Sequence, residues 1–460
     1  MTVLILAIAT ILRLVLVNQS LWLDEAIEAL ALMGKQGPLL KYALADFQPP
    51  LYHFVLYGWT RLAGFSELAL RTPSLVAGVA TVWFVIKIGE TLGTKKVGYI
   101  AGLLAATNPL LIYYSQEGRT YALTAFLVTA SFYYLIRITQ KPTKTKYLTC
   151  FFLWTILALW TSYLAWVLYG LVGLYLLVTK RYRPFWVLAS AATSLALWLP
   201  SLFGSLRIGL STIHVSPSWG AVVGAATWKS LPLTWVKFVI GRISFANKYI
   251  YGVIVAVLVV LHAHALRKSL KHKNLPLLAV WLLGPVIVGA FIAMFIPVYQ
   301  YFRVLFVLPA YLLLLALGLS RINIRHTALL VFTQVACLVI FWMTPSFHRE
   351  DWRALVHDIN DTKTETFAVA LPSRNQDAPL IYYGVEGRVF EPKDQGIPPV
   401  SRVYYINYVE DLFDGGHAGR ANLAKAGYTI GGQKTYPGIA VDIYENLKIL
   451  PADRQVEIKK

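Results

Sequence analysis

Long apolar runs alternate with short polar connections over the first three quarters of the chain. A bilayer span needs about 20 mostly apolar residues, so this pattern predicts about eleven spans. The runs fall near residues 1–17, 68–88, 97–114, 120–137, 147–161, 163–179, 185–202, 249–266, 275–297, 301–319 and 326–344. The polar break Thr161-Ser162-Tyr163 separates the fifth run from the sixth. The pattern indicates an integral membrane protein.

The polar segment between the first two runs has a pattern of its own. Residues 21–33 show helical apolar spacing and end at Gly34, and Pro49-Pro50 opens a second amphipathic stretch over 49–59. Asp24 and Glu28 lie four residues apart, so they share one face of the first stretch. We expect both stretches to be amphipathic juxtamembrane helices on the outer surface of the membrane.

The pattern changes at residue 347, where long apolar runs give way to short ones rich in β-branched and aromatic residues. Helices are predicted over 351–359 and near 421–426, and strands over 367–371, 380–383, 388–390, 403–406 and 439–444. These elements predict a small α/β domain. The expected fold class is an α-helical polytopic membrane protein with a small C-terminal α/β domain, divided into residues 1–346 and 347–460.

The distribution of charge sharpens this interpretation. Residues 1–348 hold seven acids and 28 Lys or Arg, whereas residues 349–460 hold sixteen acids and fourteen Lys or Arg. The net charge of +19 therefore belongs to the membrane part, where it sets topology, and a nucleic-acid partner is not needed to explain it.

Basic clusters predict the orientation in the membrane. Clusters near residues 87–96, 137–146, 180–183, 267–273 and 321–325 all fall on one side of the predicted spans. The positive-inside rule makes this the cytoplasmic side. We therefore expect a multi-pass protein of the plasma (inner) membrane with a cytoplasmic N-terminus and an extracytoplasmic C-terminal domain.

Acidic residues are scarce enough in the membrane part that each needs a reason. No Asp or Glu occurs between Glu117 and Glu350, and a charge in hydrocarbon costs about 2.5–3.5 kcal/mol. Glu90 falls at the inner face, and Glu67 close to Arg71 fits a structural role. The remaining acids all fall on the predicted outer side: Asp24, Glu25, Glu28, Asp46 and Glu117.

An outer carboxylate can act as general base on an acceptor hydroxyl or amine. A group transferred outside the cell, where nucleotide sugars are not supplied, must arrive on a lipid carrier, and the phosphate of that carrier needs Lys or Arg partners. The predicted outer loop 203–248 contains no acid and offers five cations: Arg207, Lys229, Lys237, Arg242 and Lys248.

Four short motifs in these segments resemble one family. They are Trp22-Leu23-Asp24-Glu25, Gln48-Pro49-Pro50-Leu51-Tyr52, the stretch 114–123 with Glu117 and Arg119, and the stretch 301–310 with Arg303. The chain resembles a polyprenyl-phosphate-sugar-dependent glycosyltransferase of the C-type superfamily, similar to protein O-mannosyltransferases and lipid A aminoarabinose transferases. The likeness spans residues 1–345, and Glu350-Asp351-Trp352-Arg353 resembles the opening of the family's variable extracytoplasmic domain.

The resemblance implies roles for individual residues. Asp24 becomes the candidate catalytic base, with Glu25 beside it. The expected substrate-binding residues are those in or next to the motifs, namely Glu117, Arg119, Arg303, Gln48, Tyr52, His53 and Asp46, together with Lys229 of the basic loop. Each motif also has a simpler interpretation: acids suit the start of a helix, Glu117 and Arg119 form an interfacial ion pair, and the Arg303 side chain extends to lipid headgroups.

The Pro-Pro motif departs from the family pattern. Relatives often carry a charged residue or a histidine just before the prolines, whereas Phe47-Gln48 stands there in this chain. Asp46 or His53 is a possible substitute, although His53 also fits an ordinary interfacial side chain. No set of metal ligands is visible in the sequence, and a divalent metal cofactor stays open.

The expected reaction is transfer of a hexose or pentose from a polyprenyl-phosphate carrier to a protein, lipid or glycan acceptor, with inversion at the anomeric carbon. Membrane lipids are the other expected partners. The alternative is a multi-pass transporter or flippase, for which ionisable residues near mid-span and an internal repeat would be typical. A third possibility is a non-catalytic membrane scaffold, in which the outer carboxylates would have no chemical role.

Overall fold

The computed structural model of the chain describes residues 1–46, 48–140, 145–179, 188–189, 191–195, 227–296, 298–362, 366–394, 396–446 and 449. Most of the predicted span 185–202 lies outside these residues, as does Arg207 in the predicted basic loop.

Contacts between residues divide the chain into two compact units. The membrane unit consists of Met1–Val17 and Gly37–Met343, and the C-terminal unit consists of Asn18–Gln36 and Thr344–Lys460. The predicted domain division after residue 346 stays a prediction. The contacts add that segment 18–36, which carries Asp24 and Glu25, packs with the C-terminal residues.

The regular elements of the membrane unit are all helices within its described residues. Its helices are α1 Thr2–Leu14, α3 Leu39–Ala45, α4 Leu51–Ala63, α5 Glu67–Leu92, α6 Lys95–Thr107, α7 Pro109–Ser115, α8 Thr120–Gln140, α9 Thr145–Leu159, α10 Tyr163–Val178, α11 Ser230–Ile240, α12 Lys248–Ser269, α13 Leu275–Ile292, α14 Leu308–Leu319 and α15 Ile324–Met343. Helix α5 packs against α6 and α8, and α6 also packs against α1 and α14.

Five of the described helices, namely α5, α8, α12, α13 and α15, are long and apolar enough to cross a membrane. The pair α6 and α7 makes a sixth if it is one broken span. Shorter apolar helices occur at Thr2–Leu14, Thr145–Leu159, Tyr163–Val178, Ser230–Ile240 and Leu305–Leu319. The polytopic helical architecture is as expected, including the break between α9 and α10, and the number of about eleven spans stays a prediction.

Two predicted runs differ from straight spans. The run 97–114 bends by 60° between α6 and α7, because the Asn108 side chain accepts hydrogen bonds from the backbone of Leu110 and Leu111 and so starts a new helix. The run 301–319 begins with turns and a 3₁₀ segment, Leu305–Val307, before α14. Both departures place irregular backbone in apolar sequence.

Both predicted helices of the first polar segment are present. Helix α2 spans Leu23–Leu32 in the C-terminal unit, and Gly34 follows it with a φ of 78°. Helix α4 of the membrane unit starts directly after Pro50, as the Pro-Pro pattern predicts. The sequence did not predict the short helix α3 that precedes it.

The C-terminal unit contains a five-stranded sheet with strand order β2-β1-β3-β5-β4. Its strands are β1 Phe367–Ala370, β2 Arg388–Phe390, β3 Arg402–Asn407, β4 Thr429–Tyr436 and β5 Ile439–Glu445. Strand β1 pairs in parallel with β2 and β3, and the pairs β3–β5 and β5–β4 are antiparallel. The prediction of an α/β fold for this part is confirmed.

Helices cover both faces of the sheet. On one face, Trp352 and Leu355 of α16 (Trp352–Asn360) pack with Val369 and Ile406. On the other face, Leu423 of α19 (Ala418–Lys425) packs with Ala368 and Tyr405. Alternate residues of β1 and β3 thus point to opposite faces, as the pleat requires. The short helix α18, Glu410–Phe413, follows β3.

The predicted strand over 380–383 is wrong, because these residues form the end of helix α17, Ala378–Tyr383. Pro379 suits the first turn of a helix, and Gly384 stops the helix in the left-handed region with a φ of 75°. The polar strand β4 was not predicted, since it shows little apolar alternation and pairs only with β5 at the sheet edge.

A buried ion network lies beside β3 and β5. The Arg420 guanidinium donates to both carboxylate oxygens of Glu410, with Nε–Oε1 2.8 Å and Nη2–Oε2 2.9 Å, and also bonds Asp442. Burial acts to raise the pKa of Glu410, but hydrogen bonds from Arg420, His417 and Tyr405 outweigh it and hold that pKa below its usual value. Glu410 and Asp442 are both buried residues, so Arg420 compensates two buried charges.

Replacing Arg420 with Leu should destabilise the C-terminal unit by about 3–5 kcal/mol, because two carboxylates would stay buried without their cation. Since the folded-state pKa of Glu410 is lowered, its ionised form stabilises the fold at neutral pH, and this contribution is lost as pH falls from about 4.3 through the lower folded value. In R420L this loss on acidification should be smaller, because burial then raises the pKa of Glu410 without the opposing Arg420 guanidinium. Denaturant titration of the full-length protein in detergent, followed by hydrogen exchange of β3 and β5, measures both effects.

Lys434→Leu is the matched control. Lys434 pairs with Asp358 at 3.6 Å, and both side chains are exposed, so the change should cost less than about 1 kcal/mol. Equal destabilisation by the two substitutions would contradict the role given to the buried network.

Candidate active site

The break between α6 and α7 is held by a buried arginine of α1. Arg13 is 1% exposed, and its guanidinium donates to the carbonyls of Ala105 and Ala106 at 3.4 and 3.2 Å and to the Ser115 Oγ at 3.1 Å. Pro109 has no N–H to offer the Ala105 carbonyl four residues earlier. Arg13 therefore satisfies polar groups that the break would leave unpaired, and it fixes the direction of α7.

The turn between α7 and α8 contains Glu117 and Arg119. The Gln116 side chain donates to the carbonyls of Arg13 and Val15, at 2.9 and 2.5 Å. Glu117 is 3% exposed, and Arg119 is half-buried. The turn is thus tied to the end of α1, and Glu117 is a buried acid rather than a solvated one.

Tyr52 and Arg119, two predicted site residues, meet through one serine. The hydroxyls of Tyr52 and Ser74 lie 3.1 Å apart, and the Ser74 Oγ donates to the Arg119 carbonyl at 3.2 Å. Helices α4 and α5 are thereby connected to the turn before α8. This connection fixes the backbone from which the Arg119 side chain extends.

A small cleft lies between the start of α8 and the turns before α14. We call it the Arg303 cleft, and its lining residues are Gln48, Thr120, Tyr121, Thr124, Ser162, Phe302, Arg303, Leu305 and Phe306. The first turn of α8 carries N–H groups without helical partners and the positive end of the helix dipole. Together with the guanidinium of Arg303, this lining suits an anion such as a phosphate. Two predicted substrate-binding residues, Gln48 and Arg303, share the cleft.

Aromatic side chains support the wall of this cleft. The Tyr121 ring packs against Phe302 and Tyr114, with ring centres 5.1 and 5.3 Å apart. The hydroxyls of Tyr114 and Tyr301 lie 3.5 Å apart. The motifs around Glu117 and Arg303 are therefore in direct contact through tyrosine and phenylalanine rings.

Arg242 joins the same region, although sequence analysis placed it only in a basic loop. Its guanidinium lies 4.8 Å from the ring centre of Tyr113, and the charge of Glu117 acts on it. A second small cleft is lined by Arg242, Tyr113 and Gln116, among others. Arg242 closely follows the apolar stretch that forms α11, and this position was the only signal in the sequence for its place in the site.

The side chains of Asp46 and His53 are in hydrogen-bond contact in the membrane unit. The Asp46 carboxylate lies 3.0 Å from the His53 Nε2, and His53 is 3% exposed. The Tyr42 ring packs edge-on against the imidazole at 5.3 Å. A carboxylate and an imidazole are both ligand types for a divalent cation, but the arrangement is also that of a satisfied buried histidine.

Lys229 is exposed, and its ammonium lies 5.4 Å from the ring centre of Trp228. It precedes α11 and is not among the residues that line the Arg303 cleft. Its predicted contact with substrate stays a prediction.

Asp24 and Glu25 occupy the first turn of α2 in the C-terminal unit. Glu25 is 1% exposed and lies 3.8 Å from the Arg349 guanidinium, whereas Asp24 is half-buried. Burial raises the pKa of Tyr408, and the nearby carboxylates of Glu350 and Asp24 raise it further. The Tyr408 hydroxyl donates to Glu350 at 3.2 Å. Asp24 therefore belongs to a polar cluster built largely by C-terminal residues, which the sequence did not reveal.

Comparisons with known proteins agree with this architecture. A family model described as dolichyl-phosphate-mannose-protein mannosyltransferase matches residues 47–203. ArnT from Cupriavidus metallidurans, solved in the apo state and bound to undecaprenyl phosphate, has a TM-score of 0.62 and 11% identity over 96% of this chain and 97% of that chain. No curated protein sequence matches.

Two further solved structures extend the likeness. Oligosaccharyltransferase AglB from Archaeoglobus fulgidus, in complex with an inhibitory peptide and a dolichol-phosphate, has a TM-score of 0.53 and 13% identity over 98% of this chain and 75% of that chain. Arabinofuranosyltransferase AftD from Mycobacteria has a TM-score of 0.50 and 16% identity over 96% of this chain and 41% of that chain.

This chain is similar to the C-type glycosyltransferase superfamily in the family match over residues 47–203 and in its fold. The resemblance carried by the four sequence motifs is thus confirmed at the level of the superfamily. Identities of this size establish the fold, so the roles of individual residues in this chain stay predictions.

The packing around Arg13 gives a test of how the site is held. A Cβ added at Gly78 would meet the Cβ of Ser115 at 2.8 Å and the Arg13 Nε at 3.0 Å. Gly78→Ala should therefore displace Ser115 and α7, at a cost of about 1–3 kcal/mol for overpacking. Thermal unfolding of the full-length protein in detergent should give a lower midpoint.

Gly58→Ala on α4 is the matched control, because a Cβ there meets nothing within 4 Å. Alanine is favoured over glycine in a helix interior by about 0.5–1 kcal/mol, so G58A should unfold at the same temperature as the parent or slightly above it. Equal midpoints for G78A and G58A would show that α7 does not depend on this packing.

Proposed function

We propose that this chain is a membrane glycosyltransferase that moves a sugar from a polyprenyl-phosphate carrier to an acceptor on the extracytoplasmic face of the plasma membrane. The proposal rests mainly on the Arg303 cleft, where a guanidinium, the polar Gln48 side chain and the first turn of α8 line one small space. Cationic groups beside apolar helices match a ligand with a phosphate head and an isoprenoid tail.

In this proposal the phosphate of the donor binds the Arg303 cleft. The guanidinium of Arg303 and the N–H groups at the start of α8 neutralise the phosphate before reaction and the additional charge that develops on it as the sugar leaves. Arg119 is the proposed second cation for the phosphate, and Lys229 is the proposed third. Glu117 orders the cationic side chains near it, since its charge acts on Arg242.

Asp24 is the proposed general base. The Asp24 carboxylate takes the proton from the acceptor hydroxyl, and the hydroxyl oxygen attacks the anomeric carbon as the bond from that carbon to the phosphate oxygen breaks. The electron pair of that bond leaves with the polyprenyl phosphate. Attack opposite the leaving group inverts the anomeric configuration. Glu25, paired with Arg349, holds the start of α2 beside the base.

The similarity of this fold to ArnT bound to undecaprenyl phosphate, and to AglB in complex with a dolichol-phosphate, supports a polyprenyl-phosphate donor. Either a hexose or a pentose is compatible with the proposal, and so is a protein, lipid or glycan acceptor. Full-length protein in detergent, incubated with dolichyl- and undecaprenyl-phosphate hexoses and pentoses and a cell-envelope extract, should release polyprenyl phosphate with at least one donor. Release with none of the donors would reject the proposal.

Asp24→Asn should lower turnover by about 10²–10⁴-fold, because the amide cannot accept the proton. Binding of undecaprenyl phosphate, measured by tryptophan fluorescence, should not change. Glu90→Gln is the matched control, since Glu90 pairs with Lys87 at 2.9 Å at the predicted inner face. Parental turnover in D24N would remove Asp24 from the mechanism.

Arg303→Met should raise the donor KM about tenfold to hundredfold, because a charge-assisted hydrogen bond contributes about 1.5–3 kcal/mol. Arg267→Met, a change at an exposed cation in the last turn of α12, serves as the control and should leave KM unchanged. A weaker effect of added salt on undecaprenyl phosphate binding in R303M would support the same role. If both variants kept the parental KM, the phosphate would have to bind elsewhere.

A further inference from the structure

Residues 18–21 precede Trp22 and helix α2, and each of these four residues is hydrogen-bonded to C-terminal residues. The Tyr383 hydroxyl accepts a hydrogen bond from the Leu21 backbone N–H at 2.8 Å and lies 3.3 Å from the Ser20 Oγ. The Arg353 guanidinium donates to the Asn18 carbonyl at 3.0 Å. These contacts fix the path of the chain into the helix that carries Asp24.

Two backbone N–H groups complete the attachment. The Arg349 N–H donates to the Gln19 side chain and the Arg353 N–H donates to the Ser20 Oγ, both at 3.2 Å. Trp22, the residue before α2, gives that helix no side-chain cap. The start of the helix is therefore set by these tertiary hydrogen bonds rather than by a local capping motif.

Helix α2 also packs directly against α17, the helix that ends at Tyr383. Leu21 and Ala26 are fully buried. The Tyr383 hydroxyl bonds the backbone only three residues before Asp24. A change at this hydroxyl is therefore transmitted to the first turn of α2 over a short length of chain.

We propose that the C-terminal unit positions the Asp24 carboxylate for proton transfer and that Tyr383 is the main positioning residue. The inference deepens the proposed function and rests on it. Tyr383 acts through the backbone of residues 20 and 21, while the ion pair of Glu25 with Arg349 and the hydrogen bond of Tyr408 to Glu350 fix the surroundings of the carboxylate.

Proton transfer is sensitive to geometry, since a misplacement of 1 Å can cost about 10²-fold in rate. Tyr383→Phe keeps the ring that packs in the core of the C-terminal unit and removes only the hydroxyl. We expect kcat to fall about tenfold to hundredfold while the donor KM stays unchanged, because the donor phosphate binds through other residues.

Tyr436→Phe is the matched control. The Tyr436 hydroxyl also makes a hydrogen bond in this unit, donating to Asp358 at 2.8 Å, but it does not touch segment 18–21. The control should keep the parental kcat. Equal losses of kcat in Y383F and Y436F would overturn the proposal, because a general effect on the stability of the unit would then explain both.

Hydrogen exchange provides a readout that needs no substrate. Backbone amides of residues 21–26 should exchange faster in Y383F than in the parent or in Y436F, with no change in α16 or β1. Unchanged exchange together with a lowered kcat would overturn the positioning role.

The two proposals fail in different ways. Parental activity in D24N rejects the base assigned under the proposed function, whatever Y383F does. Loss of activity in D24N combined with parental kcat in Y383F rejects only the positioning role of Tyr383.

Discussion

The architecture of the membrane unit depends on satisfying a broken backbone inside apolar surroundings. In hydrocarbon, each unpaired carbonyl or N–H costs several kcal/mol, so a span can break only where other groups replace the lost hydrogen bonds. Arg13 supplies these bonds to the end of α6, and Asn108 supplies them to the start of α7. The redirected chain then enters the turn with Glu117 and Arg119 and continues into α8, whose first turn lines the Arg303 cleft.

The two chemical roles of the proposed reaction are assigned to residues of different units. The cations assigned to the leaving phosphate, Arg119 and Arg303, belong to the membrane unit, and the carboxylate assigned to proton transfer belongs to the C-terminal unit. Each is held by a different kind of force. Ring packing and backbone hydrogen bonds hold the cationic region, whereas tertiary hydrogen bonds to Arg349, Arg353 and Tyr383 hold the helix of Asp24.

Regular elements with strong apolar patterns were predicted well. The helix over 21–33, the break at Thr161-Ser162-Tyr163 and the central strands β1, β3 and β5 all follow from local periodicity. The segment 380–383 was predicted as a strand because its four residues are apolar or aromatic, but Pro379 and Gly384 favour a short helix. Strand β4 was not predicted, because its side chains are mostly exposed and show no apolar pattern. Pairing with β5 keeps it extended.

The sequence by itself determined the membrane character, the resemblance to a superfamily and the shortlist of outer acids, since each depends on composition, spacing or a local motif. Tertiary structure decided which residues share a cleft, that Arg242 joins the region of Glu117, and that residues 18–36 pack with the C-terminal residues. These outcomes depend on contacts between segments far apart in the chain, such as Arg13 with Ser115 and Leu21 with Tyr383. Local periodicity carries no information about such pairs.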